Sequence, residues 1–121
     1  MDRFTKAYIE TALWASNDDN DKPMDANYKI KNLHPDTLTR MTADCQNFQQ
    51  DNADLLEKAY KAIGREDAEE LAGHDFWLTR NHHGAGFWDG DWEDYGDKLT
   101  EVCHGWPEIN LYVGDDKKIY L

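Results

Sequence analysis

The sequence predicts an α+β fold, on three observations. Apolar residues recur at helical spacing through most of the first 63 positions, the spacing shortens to two from His74 onward, and clusters of Gly, Asp and Asn separate the later segments. Helices first and strands later favour α+β over an alternating parallel design. The expected arrangement is a long central helix plus an N-terminal helix, packed with a small C-terminal antiparallel sheet, in a single domain over residues 1–121.

The first helix is expected over residues 3–15. Phe4, Tyr8, Ile9, Ala12 and Leu13 form one apolar face, Trp14 widens it, and Asp2 is placed to cap it. Residues 16–25 (SNDDNDKPMD) read as a loop. Asp19 and Asp21 have the spacing of the first two ligands of a calcium loop, but the turn glycine and closing Glu are missing, so no calcium site is expected. Tyr28, Ile30 and Leu33 alternate with polar residues, as in a short extended segment. His34-Pro35-Asp36 opens the second helix, because proline suits the first helical position and Asp36 the positive end of the dipole. Leu38, Met41, Cys45, Phe48, Leu55 and Ala59 carry its stripe to Ile63, and Gly64 stops it. That is a helix on the order of 40 Å long. Asn52 stands at the one place in the series where an apolar residue is absent.

Asp67-Ala68-Glu69-Glu70 has capping-box spacing and predicts a short helix stopping at Gly73. His74 to Thr79 and Gly84 to Trp88 then read as two strands of a hairpin, joined by Arg80 to His83. This pairing would set Phe76-Trp77 nearly opposite Phe87-Trp88. A helix is expected over 97–103. Further strands are expected at 109–113 and 118–121, with turn chemistry at Gly114 to Lys117.

Composition bounds the function. The chain is 40% hydrophobic with five Trp, six Tyr and four Phe, enough for a core despite a mean hydropathy of −0.91. Its net charge of −12 repels phosphates and anionic bilayers, so neither direct nucleic-acid binding nor membrane association is expected. Solubility alone would account for such a charge, and another protein with a basic surface is the partner it would suit. Cys45 and Cys103 fit no zinc or CxxC pattern, and the N-terminus does not read as a signal peptide. A cytoplasmic location with reduced thiols is therefore expected, and no cofactor.

The densest segment is HDFWLTRNHHGAGFWDGDWEDYGD, from His74 to Asp97. Its HDFWLTRNHHGAGFWDGDW stretch resembles the hallmark of a family of small uncharacterised bacteriophage and prophage proteins. Ala12-Leu13-Trp14, Asp44-Cys45 with Phe48, and Leu111-Tyr-Val-Gly-Asp-Asp116 extend the resemblance over most of the chain. The family pattern carries glycine where this chain has His82, whereas His83 matches. The resemblance implies a phage accessory protein and supplies no established activity.

Two sites compete within this segment. In the leading reading, Asp89, Asp91, Glu93, Asp94 and Asp97 form an acidic run with Trp92 and Tyr95 among them. On a strand or helix such carboxylates lie about 6–7 Å apart and imitate the phosphates of nucleic acid, while exposed aromatics anchor a partner. In the alternative reading, His74, Arg80, His83 and Trp88 enclose a small ligand or nucleotide, with or without catalysis. His74, His82, His83, Asp89 and Asp91 are metal-ligand types without a recognised ligand spacing, so no metal is expected. Gly84-Ala85-Gly86 lacks the rest of a phosphate loop, and nothing resembling a nucleophile with its base is present.

Overall fold

Asp2 starts the first helix: its carboxylate accepts from the backbone N–H of Thr5 at 2.8 Å. The computed structural model describes residues 1–121 and is mostly helical. Helix α1 spans Arg3–Ala15, α2 Pro35–Asp51, α3 Ala53–Ile63, α4 Ala68–Arg80 and α5 Gly96–Cys103. Strands β1 (Tyr112–Val113) and β2 (Ile119–Tyr120) pair antiparallel, with Tyr112 opposite Tyr120 and Val113 opposite Ile119. No helix is long and apolar enough to cross a membrane.

The helix expected over 35–63 is two helices. His34 caps the first, accepting from the Asp36 N–H at 3.1 Å, and Met41, Cys45 and Phe48 are buried on it. Leu38 and Leu55 are only partly buried. The break falls at Asn52, whose side-chain amide donates to the Phe48 carbonyl at 2.9 Å alongside its own backbone N–H at 3.1 Å. An Asn side chain competing for backbone acceptors favours a cap over helix continuation. Helix α3 then buries Leu56 and Ala59 and ends on Gly64, whose φ of 61° is the left-handed C-terminal stop that glycine adopts freely.

The expected hairpin of 74–79 with 84–88 is absent. His74 to Thr79 continues α4, and Gly84 to Trp88 is irregular. Every residue from Ala72 to Arg80 except His74 is buried. A helix covered on nearly all sides loses the amphipathic period that identifies a helix, and its aromatics then read as a strand. Gly73 is not a stop but the crossing point of α4 with α1. A methyl group there would overlap the carbonyl oxygen of Phe4, so only glycine permits this approach.

Around α4 lies an aromatic core. The Phe48 and Phe76 rings stack at 4.0 Å, with Phe4 5.8 Å and Phe87 6.3 Å from Phe48. The segment expected to be extended at 28–33 instead forms a 3₁₀ turn at Ile30–Asn32, and another precedes it at Met24–Ala26. It does fasten a neighbour: Leu33 bridges Ile119, the His34 N–H donates to the Ile119 carbonyl at 3.0 Å, and the His34 ring stacks on Tyr120 at 4.8 Å. The sheet therefore tethers the chain end to the start of α2.

Cys45 and Cys103 are free and buried, and burial pushes both thiols up, away from the reactive thiolate. Intact mass after alkylation is expected to show no adduct on the native protein and one on each cysteine after unfolding. A protein lighter by two hydrogens, with neither cysteine modified after unfolding, would mean a disulfide instead.

Candidate functional site

The acidic segment is held by two aromatic anchors. Asn81 ends α4, its amide donating to the Trp77 carbonyl at 3.0 Å and accepting from the Ile109 N–H at 2.9 Å. His82 follows with a φ of 56°, a left-handed conformation that glycine adopts without strain. Phe87 then enters the core, its N–H donating to Thr79 Oγ1 at 3.0 Å. Trp92 enters it again, edge-on to Phe87 at 5.4 Å. A 3₁₀ turn at Glu93–Tyr95 leads into α5, with Asp97 in its first turn.

This corrects the leading site in two respects. Trp92 is fully buried and Tyr95 half-buried, so neither is the exposed anchor expected among the acids. The backbone from 89 to 97 passes from bend and turn through a 3₁₀ turn into the start of α5, so no single strand or helix spaces these carboxylates regularly. Asp89, Asp91, Glu93, Asp94 and Asp97 are all exposed, and none of them is in an ion pair. The exposed tryptophans are Trp88, 51% accessible, and Trp14, 56% accessible.

Beneath the acidic loop lies Asp75, buried on α4, accepting the Trp92 indole N–H at 2.6 Å. Burial raises its pKa to about 7; the Trp92 hydrogen bond opposes the rise, and the charges of Asp89 and Asp91 add to it. The native carboxyl thus holds its proton more tightly than the unfolded one, whose ordinary value is 3.8. Its contribution to stability is fully present below about pH 4 and is lost as pH rises through about 7. Asp75→Asn retains an acceptor for Trp92 and removes the buried charge. It is expected to be more stable than wild type by roughly 2–4 kcal/mol at about pH 8, with the gap closing towards about pH 4. Parallel wild-type and variant stabilities across that range, measured by urea unfolding, would contradict this.

His74 belongs to a different feature. Thr11 donates its only hydroxyl proton to the Ala7 carbonyl at 2.7 Å, so His74 Nδ1, 2.8 Å from Thr11 Oγ1, must be the donor in their contact. Burial lowers the His74 pKa, with Asp89 opposing. His74 lines an open groove of about 510 Å³ between α1 and α4. Trp14, with its ring 6.1 Å from His74, shares that groove with Glu10, Asp25, Asp67 and Glu70. Glu70 pairs with Arg3, and Asp67 pairs with Arg65 at 2.9 Å. The sequence reading missed this groove because its acids come from three segments. One part was visible in α1, where Ala7, Glu10, Thr11 and Trp14 share a stripe at helical spacing.

The four residues of the alternative site do not come together. Arg80 is 1% exposed: Nε and Nη2 donate to the Pro107 carbonyl at 3.1 and 2.6 Å, and Nη1 donates to Tyr8 Oη at 3.1 Å and Asp44 Oδ2 at 3.0 Å. It is a structural clamp, closed to a ligand. His74 lines the α1–α4 groove, His83 lines a separate recess beside the chain segment at 108–111, and Trp88 is exposed next to the acidic loop. No group of three or more His, Cys, Asp or Glu side chains is arranged to hold a metal ion. Comparison of this chain with protein-family models, curated proteins and solved structures finds no match in any of the three.

Proposed function

We propose that this is a non-enzymatic accessory protein of the phage type, which binds a host protein carrying a basic surface. A nucleic-acid-processing or defence protein is the natural target. The observation that carries this reading is an exposed tryptophan, Trp88, directly followed by the exposed and unpaired carboxylates of the acidic loop, beginning with Asp89. Exposed tryptophans are the commonest binding anchors, and surrounding charge sets the rate and selectivity of encounter. Phe87 and Trp92 hold the acidic loop from below, which reduces the ordering cost on binding.

The test is affinity capture of the partner from host lysate, followed by rate constants across a salt series. The combined variant Asp91→Asn, Glu93→Gln, Asp94→Asn is expected to associate more slowly at low salt, with an unchanged or slightly higher melting temperature. Trp88→Ala is expected to speed dissociation by about fivefold or more. A triple variant that associates as fast as wild type at low salt would reduce the acidic face to a solvated surface.

A further inference from the structure

The acidic loop is fastened to α4 at few points. From Gly84 to Trp92 it reaches that helix through two hydrogen bonds, one from the Phe87 N–H to Thr79 Oγ1 at 3.0 Å and one from the Trp92 indole to Asp75 Oδ2 at 2.6 Å. The backbone hydrogen bonds of Asp89 to Gly86 and of Tyr95 to Trp92 only close turns within the loop. Glu93, just past Trp92, holds a left-handed φ of 52°, which a non-glycine residue keeps only while its surroundings fix it. Of the two attachments, the one at Asp75 is conditional. Asp75 is 1% exposed and in no ion pair, and the Trp92 indole is the one donor to its carboxyl. A buried carboxylate without a counter-charge loses more in hydration than one hydrogen bond returns, so the docked loop favours the neutral acid. The neighbouring groups act in the same direction. Asp89 and Asp91 in the loop repel a charge on Asp75, and Arg65 attracts it but is paired with Asp67. Cys103 of α5, and Tyr60 of α3 against the Trp92 ring, are kept neutral by burial.

We propose that Asp75 and Trp92 form a proton-controlled latch: with Asp75 neutral the acidic loop is docked on α4, and loss of its proton lets the loop lift away as a unit while the helices stay folded. The sign follows from the two states. In the docked loop the Asp75 pKa is raised to about 7, and in the lifted loop water returns and the ordinary 3.8 applies. Opening therefore releases a proton. The open fraction grows with pH between these two values, by about tenfold per unit at most, and levels off above about 7. The ionised carboxylate is the stronger acceptor for the indole, but that gain is smaller than the lost hydration and the repulsion from Asp89 and Asp91. The latch does not depend on what the loop binds.

Hydrogen exchange of the Trp92 indole N–H in the ¹⁵N-labelled protein, followed from about pH 5 to about pH 8, tests it. Dividing each rate by that of a free tryptophan derivative at the same pH gives the opening constant. Trp92→Phe assigns the signal; should that variant fail to fold, contact with the Phe87 ring, 5.4 Å away, assigns it. The opening constant is expected to rise about 30-fold or more up to about pH 7 and then flatten. At every pH it should exceed that of the backbone amides of Tyr8 and Phe48, which report unfolding of the helices. Asp75→Asn keeps an acceptor for the indole and should abolish the rise. Should it fail to fold, the double variant Asp89→Asn, Asp91→Asn removes the repulsion, and its plateau should begin at lower pH than in wild type. The proposal is overturned if the wild-type opening constant is independent of pH, or if the variant tested keeps the wild-type profile. It is equally overturned if Trp92 opens no more often than Tyr8 and Phe48, since the loop would then leave α4 only when the whole fold unfolds.

Discussion

Arg80→Met is expected to destabilise the protein by about 3–5 kcal/mol, the usual loss on removing one partner from a buried ion pair. Its guanidinium is spent entirely inside the fold. It joins the Pro107 carbonyl, Tyr8 and Asp44, and its planar group lies 5.2 Å from the Trp106 ring and 5.6 Å from that of Phe76. It thereby links α4 to α1, α2 and the segment leading to β1. Methionine keeps much of the volume and loses every donor, leaving the Pro107 carbonyl and Tyr8 hydroxyl without their partner and Asp44 without its counter-charge. Asp44→Asn should cost less, because Asp44 is 19% exposed and retains some water. Urea unfolding of wild type, both single variants and the double variant measures the coupling. A loss under about 1 kcal/mol for Arg80→Met would mean that the clamp contributes nothing net, as some buried pairs do.

Gly73→Ala is expected to cost about 2–4 kcal/mol, and its sign is the informative part. Helix propensity alone predicts the opposite, a gain of about 1 kcal/mol from replacing glycine inside a helix. The added methyl, however, would overlap the Phe4 carbonyl oxygen, a backbone atom that cannot rotate aside. Helices α1 and α4 must then separate, and the aromatic contacts Phe4–Phe76 at 6.0 Å and Tyr8–Phe76 at 5.1 Å separate with them. Gly84→Ala is the control, since a methyl group there meets nothing within 4 Å. If Gly73→Ala melted at or above the wild-type temperature, the crossing would be wider than the fold shows.

Much of the local structure was legible. Asp2, His34 with Pro35, and Gly64 mark helix ends because capping is a contest among neighbours in the chain. The turn Gly114 to Lys117 was legible for the same reason, with the Gly114 N–H donating to the Lys118 carbonyl at 2.8 Å. The burial of Met41, Cys45 and Phe48 followed from their stripe. Of the candidate site, the exposure of the five acids was legible, since charge keeps to water.

Wherever the answer depended on what lies on the far side of a residue, the sequence was silent. The run His74 to Thr79 has the composition of a strand and becomes a helix because other elements cover it on nearly every side, which erases its period. Trp92 stands among acids and yet points inward, since Asp75, seventeen positions earlier, offers its indole N–H an acceptor in the core. Arg80 looks like a ligand-binding group and is a clamp, because Tyr8, Asp44 and Pro107 converge on it from three distant places. Sequence alone determined the helix ends at Asp2, His34 and Gly64, the turn at Gly114 to Lys117, the charge and the amphipathic stripe of α1, all of which rest on interactions within a few residues. Tertiary structure alone decided which aromatics are buried, which polar groups are satisfied and where clefts open, because each depends on contacts between segments that no local period encodes.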